Sequence, residues 1–177
     1  MTDDQHIHLD LNAEVDSYFD ASSECENRQP VFAMVMGGAA VGKTTTRRYM
    51  FSKGYVLVDA ADIFIRLSKG QSLDFPDDMK EPMEIVGAQI ARRAVAQRRH
   101  IVTELMGADY ESTVQLIEAM RSIGYETSLH WVTCNVEEAV RRNMARGNDN
   151  ISCYFAEEFQ RRWLMEASNS EQNPPSA

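Results

Sequence analysis

The chain has 177 residues, 44% hydrophobic and 25% charged, which suits one compact domain with its own core and excludes disordered, fibrous and membrane-embedded classes. Its formal charge of −9 is unevenly spread: residues 1–30 hold eight carboxylates against one arginine, leaving only −2 for the remainder. A nucleic-acid partner is not expected from a chain without a basic footprint, and three widely spaced cysteines (Cys25, Cys134, Cys153) outline neither a disulfide framework nor a zinc site.

In chain order, residues 1–30 read as an acidic N-terminal arm. Leu11, Val15, Tyr18 and Phe19 recur within it at helical spacing, and Asp10 or Asn12 can cap a short helix lying on the domain. The first residues are acidic, unlike a secretory leader, and the longest weakly polar run, 31–42, is too short to span a bilayer. With the cysteine usage this points to a reducing cytoplasm and no membrane partner.

Next comes an alternation of compact apolar runs and amphipathic segments. The pattern predicts a strand over 31–36, a helix over 43–52, a strand over 55–60 and a short helix over 62–68. A loop over 70–82 is expected from its glycine, two prolines and acidic residues. A helix over 83–97 with Ile85, Val86, Ile90, Ala94 and Val95 inward precedes a strand over 100–105 and a helix over 109–123. A strand over 127–134, a helix over 136–146 and a last helix over 154–167 complete the domain (31–167), and residues 168–177 form a frayed tail. Strands alternating with helices imply an α/β, three-layer domain with a small, mostly parallel sheet and its ligand beyond the carboxyl ends of the strands.

At the first of those ends stands MGGAAVGKTTT, which fits G-x-x-x-x-G-K-[ST] from Gly37 to Thr44 in the required strand-to-helix context. The fold class is therefore that of a P-loop NTPase. Gly37, Gly38, Ala39, Ala40, Val41, Gly42, Lys43, Thr44 and Thr45 are the expected nucleotide-binding residues. Glycines let successive backbone N–H groups converge on a phosphate, Lys43 reaches the β/γ oxygens, and Thr44 offers its hydroxyl to Mg²⁺. Glu104, in the otherwise apolar HIVTEL, is assigned to the metal. Asp62 is the candidate base for an alcohol acceptor, with a helix cap as the competing explanation. Asp59 reads as either a metal neighbour or a turn former. Arg142 and Arg146, four apart on one helix face with Arg141 pointing elsewhere, suit a lid that neutralises a transferring phosphoryl group; dipole complementation and pairing with Glu137 and Glu138 is the alternative. The cluster Arg92, Arg93, Arg98, Arg99 reads as a solvated helix end. The stripe Phe155, Phe159, Trp163 reads as core packing.

The order GGAAVGKTTT, VDAADIF, IVTE and IGYETSLHWVTCNVEEAVRRNMARG resembles the landmarks of zeta-toxin-like P-loop kinases over 31–147. The resemblance implies ATP and Mg²⁺ as cofactors and transfer of the γ-phosphate to a sugar hydroxyl of UDP-N-acetylglucosamine. It implies Asp62 as base, Lys43, Arg142 and Arg146 as charge stabilisers, and Thr44 with Glu104 around the metal. The partner is then a small hydroxylated acceptor such as a UDP-sugar, and an inhibitor (antitoxin) protein is a further candidate, with the acidic arm either its docking surface or a cap on the sheet. Two readings compete: a kinase of another sugar, sugar acid or antibiotic, and a nucleotide-binding switch that transfers nothing.

Overall fold

A computed structural model of the chain describes residues 10–19, 29–68, 77–106 and 110–145. Four strands, β1 (Val31–Met36), β2 (Tyr55–Leu57), β3 (His100–Leu105) and β4 (Glu126–Trp131), form one sheet in the order β2-β3-β1-β4. All three pairings are parallel, with Met36 opposite both Leu105 and Trp131. The carboxyl ends of β1 and β3 thus stop side by side, so residues following them meet. β1 is buried along almost its whole length because neighbours flank it and helices cover both faces, which is why it reads as an unbroken apolar run.

Six helices belong to the described residues: α1 (Leu11–Ser17), α2 (Lys43–Met50), α3 (Ala60–Leu67), α4 (Asp77–Ala96), α5 (Tyr110–Ser122) and α6 (Val136–Ala145). On one face of the sheet Phe32, Met34, Met36, Val56 and Ile101 meet Ile63 and Leu67 of α3, Val86, Ile90 and Ala94 of α4, and Met120 of α5. On the other, Ala33, Val35 and Val102 pack with Phe51, just beyond α2. Layers on both faces of a parallel sheet match the expected architecture.

The arm's helix belongs to the core. Asp10 caps it, accepting from the Ala13 amide at 3.1 Å, and Val15, Tyr18 and Phe19 are buried in the main cluster. From α4, Arg93 pairs with Asp16 and lies 4.2 Å over the Phe19 ring. Arg99 is buried as well. Arg93 and Arg99 are therefore tied into the fold, which corrects their reading as a solvated helix end, while Arg92 and Arg98 are exposed as expected.

The expected loop over 70–82 is corrected in its second half, where α4 already runs from Asp77 with Pro82 inside it. Proline removes one helical hydrogen bond at a cost of ~3 kcal/mol. Met79 and Met83, both packed on the core, continue the stripe of Val86, Ile90 and Ala94 and offset that loss. Ile85, expected inward, is exposed. β2 and β4 each end three residues sooner than expected, at Leu57 and Trp131. The helix expected over 154–167 lies outside the described residues, as do residues 69–76.

Tyr125 explains the Gly-Tyr landmark. Gly124 turns the chain at φ +85°, and the buried Tyr125 hydroxyl donates to the Arg99 carbonyl at 3.0 Å, tying the start of β4 to the end of α4. No described helix is long and apolar enough to cross a membrane.

Candidate nucleotide and phosphoryl-transfer site

The loop between β1 and α2 takes its shape from three positive-φ residues: Gly37 (149°), Ala40 (59°) and Gly42 (112°). At Gly37 a side chain is excluded outright, since a Cβ there would stand 2.2 Å from the Val132 carbonyl oxygen. The loop is pressed against the end of β4, where the Val132 amide donates to the Met36 carbonyl at 2.8 Å, and the Gly37 amide donates to the Leu105 carbonyl at 3.2 Å. Val41 anchors its far side among Ala139, Val132 and Val136. Gly42 is the N-cap of α2 and offers no side-chain acceptor, so the positive end of α2 stays open to an anion. Lys43 folds back over the loop, its Nζ donating to the carbonyls of Gly37 (2.9 Å) and Gly38 (2.7 Å). A flexible ammonium on two carbonyls can exchange them for phosphate oxygens without moving the backbone.

Thr44 and Glu104 come together. The Thr44 hydroxyl donates to Glu104 Oε2 at 2.9 Å, and Arg47 Nε donates to Glu104 Oε1 at 2.6 Å. The oxygens at the mouth of the loop are hard donors, the chemistry Mg²⁺ selects. Among the described residues no group of three His, Cys, Asp or Glu is placed to hold a metal, and a Mg²⁺ carried by phosphates and water with one or two protein oxygens needs none. Thr44 with Glu104 fits that ion.

Two carboxylates open α3. Asp59 is its N-cap, its Oδ1 accepting from the Asp62 amide at 2.7 Å, so the capping role weighed for Asp62 belongs to Asp59. Asp62, one turn on, faces α1: its Oδ2 accepts from the Tyr18 hydroxyl at 2.8 Å and from Arg66 Nε at 2.9 Å. Burial raises the Tyr18 phenol above its ordinary value, and the neighbouring Asp62 carboxylate adds to the rise. Arg66 lies 4.4 Å over the Tyr18 ring and reaches Glu14 at 3.6 Å, so this corner binds α1 to α3.

Asp59 has the site's unusual acidity. Burial pushes its carboxyl up to about 6, helped by the Glu104 and Asp62 charges and opposed by the Asp62 amide and Arg47. A folded-state value above the unfolded 3.8 means that Asp59's contribution to stability is complete below pH ~4 and is lost as pH rises through 6. In metal-free protein the ionised carboxylate then costs about 3 kcal/mol. Asp59→Asn keeps a good cap and cannot ionise. Urea unfolding is therefore expected to find the variant more stable than the parent by about 3 kcal/mol at pH 8 and equal to it near pH 4. Equal stability at both values would contradict the burial of a charge there.

Of the two lid arginines, Arg142 does not join this constellation. Arg142 Nε donates to Glu138 Oε1 at 2.7 Å, and Arg141 grips the same carboxylate through Nε and Nη2, both at 2.7 Å. Arg141 does not point elsewhere as expected: positions three and four after Glu138 both reach back to it. Their hydrogen bonds, Arg141's first, hold the Glu138 carboxyl down at about 2. Arg146 lies outside the described residues. Arg47 was not singled out from the sequence, where it looks like the basic last turn of a short helix; its spacing of three from Thr44 was the available signal.

A phosphate loop at the end of the central parallel strand, with its Thr and a neighbouring strand-end Glu in contact, defines a P-loop nucleotide-binding protein of the kinase-like type. The chain belongs to the zeta toxin family, whose model matches residues 15–171 and so begins within α1. Among solved structures it is similar to a chain of the PezAT chromosomal toxin–antitoxin system of Streptococcus pneumoniae (TM-score 0.59, 15% identity, covering 77% of this chain and 60% of that one). It is also similar to a chain of the Pnkp1/Rnl/Hen1 RNA repair complex (TM-score 0.59, 17% identity, 85% and 48% covered). A third likeness is to a kinase candidate from Chloroflexus aurantiacus J-10-fl (TM-score 0.56, 12% identity, 77% and 78% covered). At these identities the likeness is one of fold, and the chain spans about 60% of the pneumococcal chain's length. No curated protein sequence matches.

Proposed function

We propose that the chain is an ATP-dependent phosphotransferase acting on a hydroxyl of a small acceptor, with UDP-N-acetylglucosamine as the first acceptor to test. The observation that carries this reading is the contact of Thr44 with Glu104 at the mouth of the Gly37–Thr44 loop, a phosphate cradle and an acidic oxygen within 2.9 Å of each other. The zeta toxin family supports the same chemistry.

In the proposed reaction the loop amides and the end of α2 hold the β- and γ-phosphates, and Lys43 leaves the Gly37 and Gly38 carbonyls for their oxygens. Thr44, with Glu104 beside it, would hold Mg²⁺, which would supply neutralisation of phosphate charge. The acceptor oxygen bonds to the γ-phosphorus, the bond to the β-phosphate oxygen breaks and ADP departs, while the hydroxyl proton passes to a strand-end carboxylate. Two candidates stand at α3. Asp62 is the one the family resemblance implies, but its Oδ2 is committed to Tyr18 and Arg66. Asp59 shares its surroundings with Glu104 and Arg47 and is poised to take a proton near neutral pH, which favours it as the base. Arg142 serves as a charge stabiliser only if it leaves Glu138, and Arg146 remains its proposed companion.

The test is turnover of the Asp59→Asn and Asp62→Asn variants with ATP, Mg²⁺ and a panel of UDP-sugars, free sugars and sugar acids. Loss of a general base costs roughly 10²–10⁴-fold. That loss is expected for Asp59→Asn, with a smaller one for Asp62→Asn; the reverse order would restore Asp62 as base, and ATP binding without any product would favour the non-catalytic switch. By likeness to the PezAT chain, an antitoxin-type protein is the proposed macromolecular partner.

A further inference from the structure

We infer that Arg47 is a positioning residue for the metal: it fixes Glu104 so that Glu104 in turn orients the Thr44 hydroxyl. The inference rests on the nucleotide–Mg²⁺ reading above and concerns a residue outside the phosphate-loop motif.

Thr44 and Arg47 are three apart on α2 and therefore share the face turned to the end of β3. There each takes one oxygen of the same carboxylate, Arg47 Nε on Oε1 at 2.6 Å and Thr44 Oγ1 on Oε2 at 2.9 Å. The side chains of Arg47 and Glu104 are only 12% and 9% exposed, although α2 has no fully buried residue. A basic residue serving only the helix dipole would stand in solvent, as Arg48 does. Burying a charged pair is costly unless its geometry is good, and the guanidinium meets this enclosed carboxylate at hydrogen-bond distance.

The consequence reaches Thr44 through hydrogen-bond direction. A hydroxyl has one proton to give and two lone pairs. With its proton committed to Glu104, Thr44 presents its lone pairs away from the carboxylate, the arrangement a cation requires. Glu104 can enforce this only while its own plane is held, and the guanidinium holds it from the opposite oxygen. Partners one step behind the ligands commonly set metal affinity by 10–100-fold.

The test uses the full chain with Arg47→Gln and Arg47→Lys, Mn²⁺ as the probe read by electron paramagnetic resonance in the presence of a non-hydrolysable ATP analogue, and a fluorescent ATP analogue titrated in EDTA. Arg47→Gln is expected to weaken Mn²⁺ about 10-fold or more while changing metal-free nucleotide affinity less than twofold, and Arg47→Lys to recover part of the loss. In a Glu104→Gln background the same substitution should have no further effect on Mn²⁺. Unchanged Mn²⁺ affinity in folded Arg47→Gln overturns the inference, as does an equal loss of nucleotide affinity in EDTA, which would make Arg47 a phosphate ligand. If Arg47→Gln does not fold, the Arg47→Lys pair in the two Glu104 backgrounds decides, equal Mn²⁺ loss in both again overturning it. Failure of the parent chain to bind nucleotide would instead remove the reading on which the inference stands.

Discussion

Lys43→Ala is expected to lower turnover by about 10²–10³-fold, the usual loss when one group aimed at developing charge is removed. The side chain already lies within the loop, on the carbonyls of Gly37 and Gly38 at 2.9 and 2.7 Å, so it needs only a change of partner to meet an incoming phosphate. Its deletion leaves the backbone shape intact, because the positive-φ residues Gly37, Ala40 and Gly42 set that shape. Nucleotide affinity should accordingly fall less than turnover. Single-turnover kinetics beside equilibrium nucleotide binding would separate the two, and a variant that turns over normally would place the reacting phosphate elsewhere.

Removal of residues 1–28 is the change expected to act most strongly on stability. It strips Val15, Tyr18 and Phe19 from the main core, together with the Tyr18–Asp62 hydrogen bond and the Asp16–Arg93 pair. At roughly 1.5–3 kcal/mol per buried side chain the loss is on the order of 5 kcal/mol or more. That is comparable with the whole stability of many domains. A fall in melting temperature of about 10–20 °C, or outright unfolding, should follow. Phe19→Ala alone should cost about 3–5 kcal/mol. If the shortened chain melted with the parent, the acidic arm would be a docking element and not part of the core.

Much of this is legible in the sequence. β1 and β3 begin and end where the sequence places them: β1 is apolar throughout because it is buried on both faces, and β3 keeps Ile101 and Val102 as a buried apolar centre between His100 and Glu104. The phosphate loop was legible because its glycines answer to backbone geometry, directly at Gly37 and Gly42. The start of α4 was misread because Pro82 was weighed as a breaker, although Met79, Met83 and Val86 already form a helical stripe that outweighs one lost hydrogen bond. The cap of α3, weighed for Asp62, falls on Asp59, and Asp59-Ala60-Ala61-Asp62 has the spacing of a cap whose acceptor precedes the third helical residue. Arg47 was out of reach for a different reason: its partner lies 57 positions away on β3, and local sequence shows only a basic helix end. Arg142 is a competition between a near carboxylate and a distant phosphate, and the Glu138 pairing decides it in the nucleotide-free protein.

The central claim, transfer of phosphate from ATP to an acceptor hydroxyl, is tested most directly by ³¹P NMR of the purified chain with ATP, Mg²⁺ and UDP-N-acetylglucosamine, with Lys43→Ala alongside. A new phosphomonoester signal rising one for one with ADP, and missing with the variant, is the predicted result. ADP rising with inorganic phosphate and no ester, or no consumption of ATP with any acceptor of the panel, would contradict it.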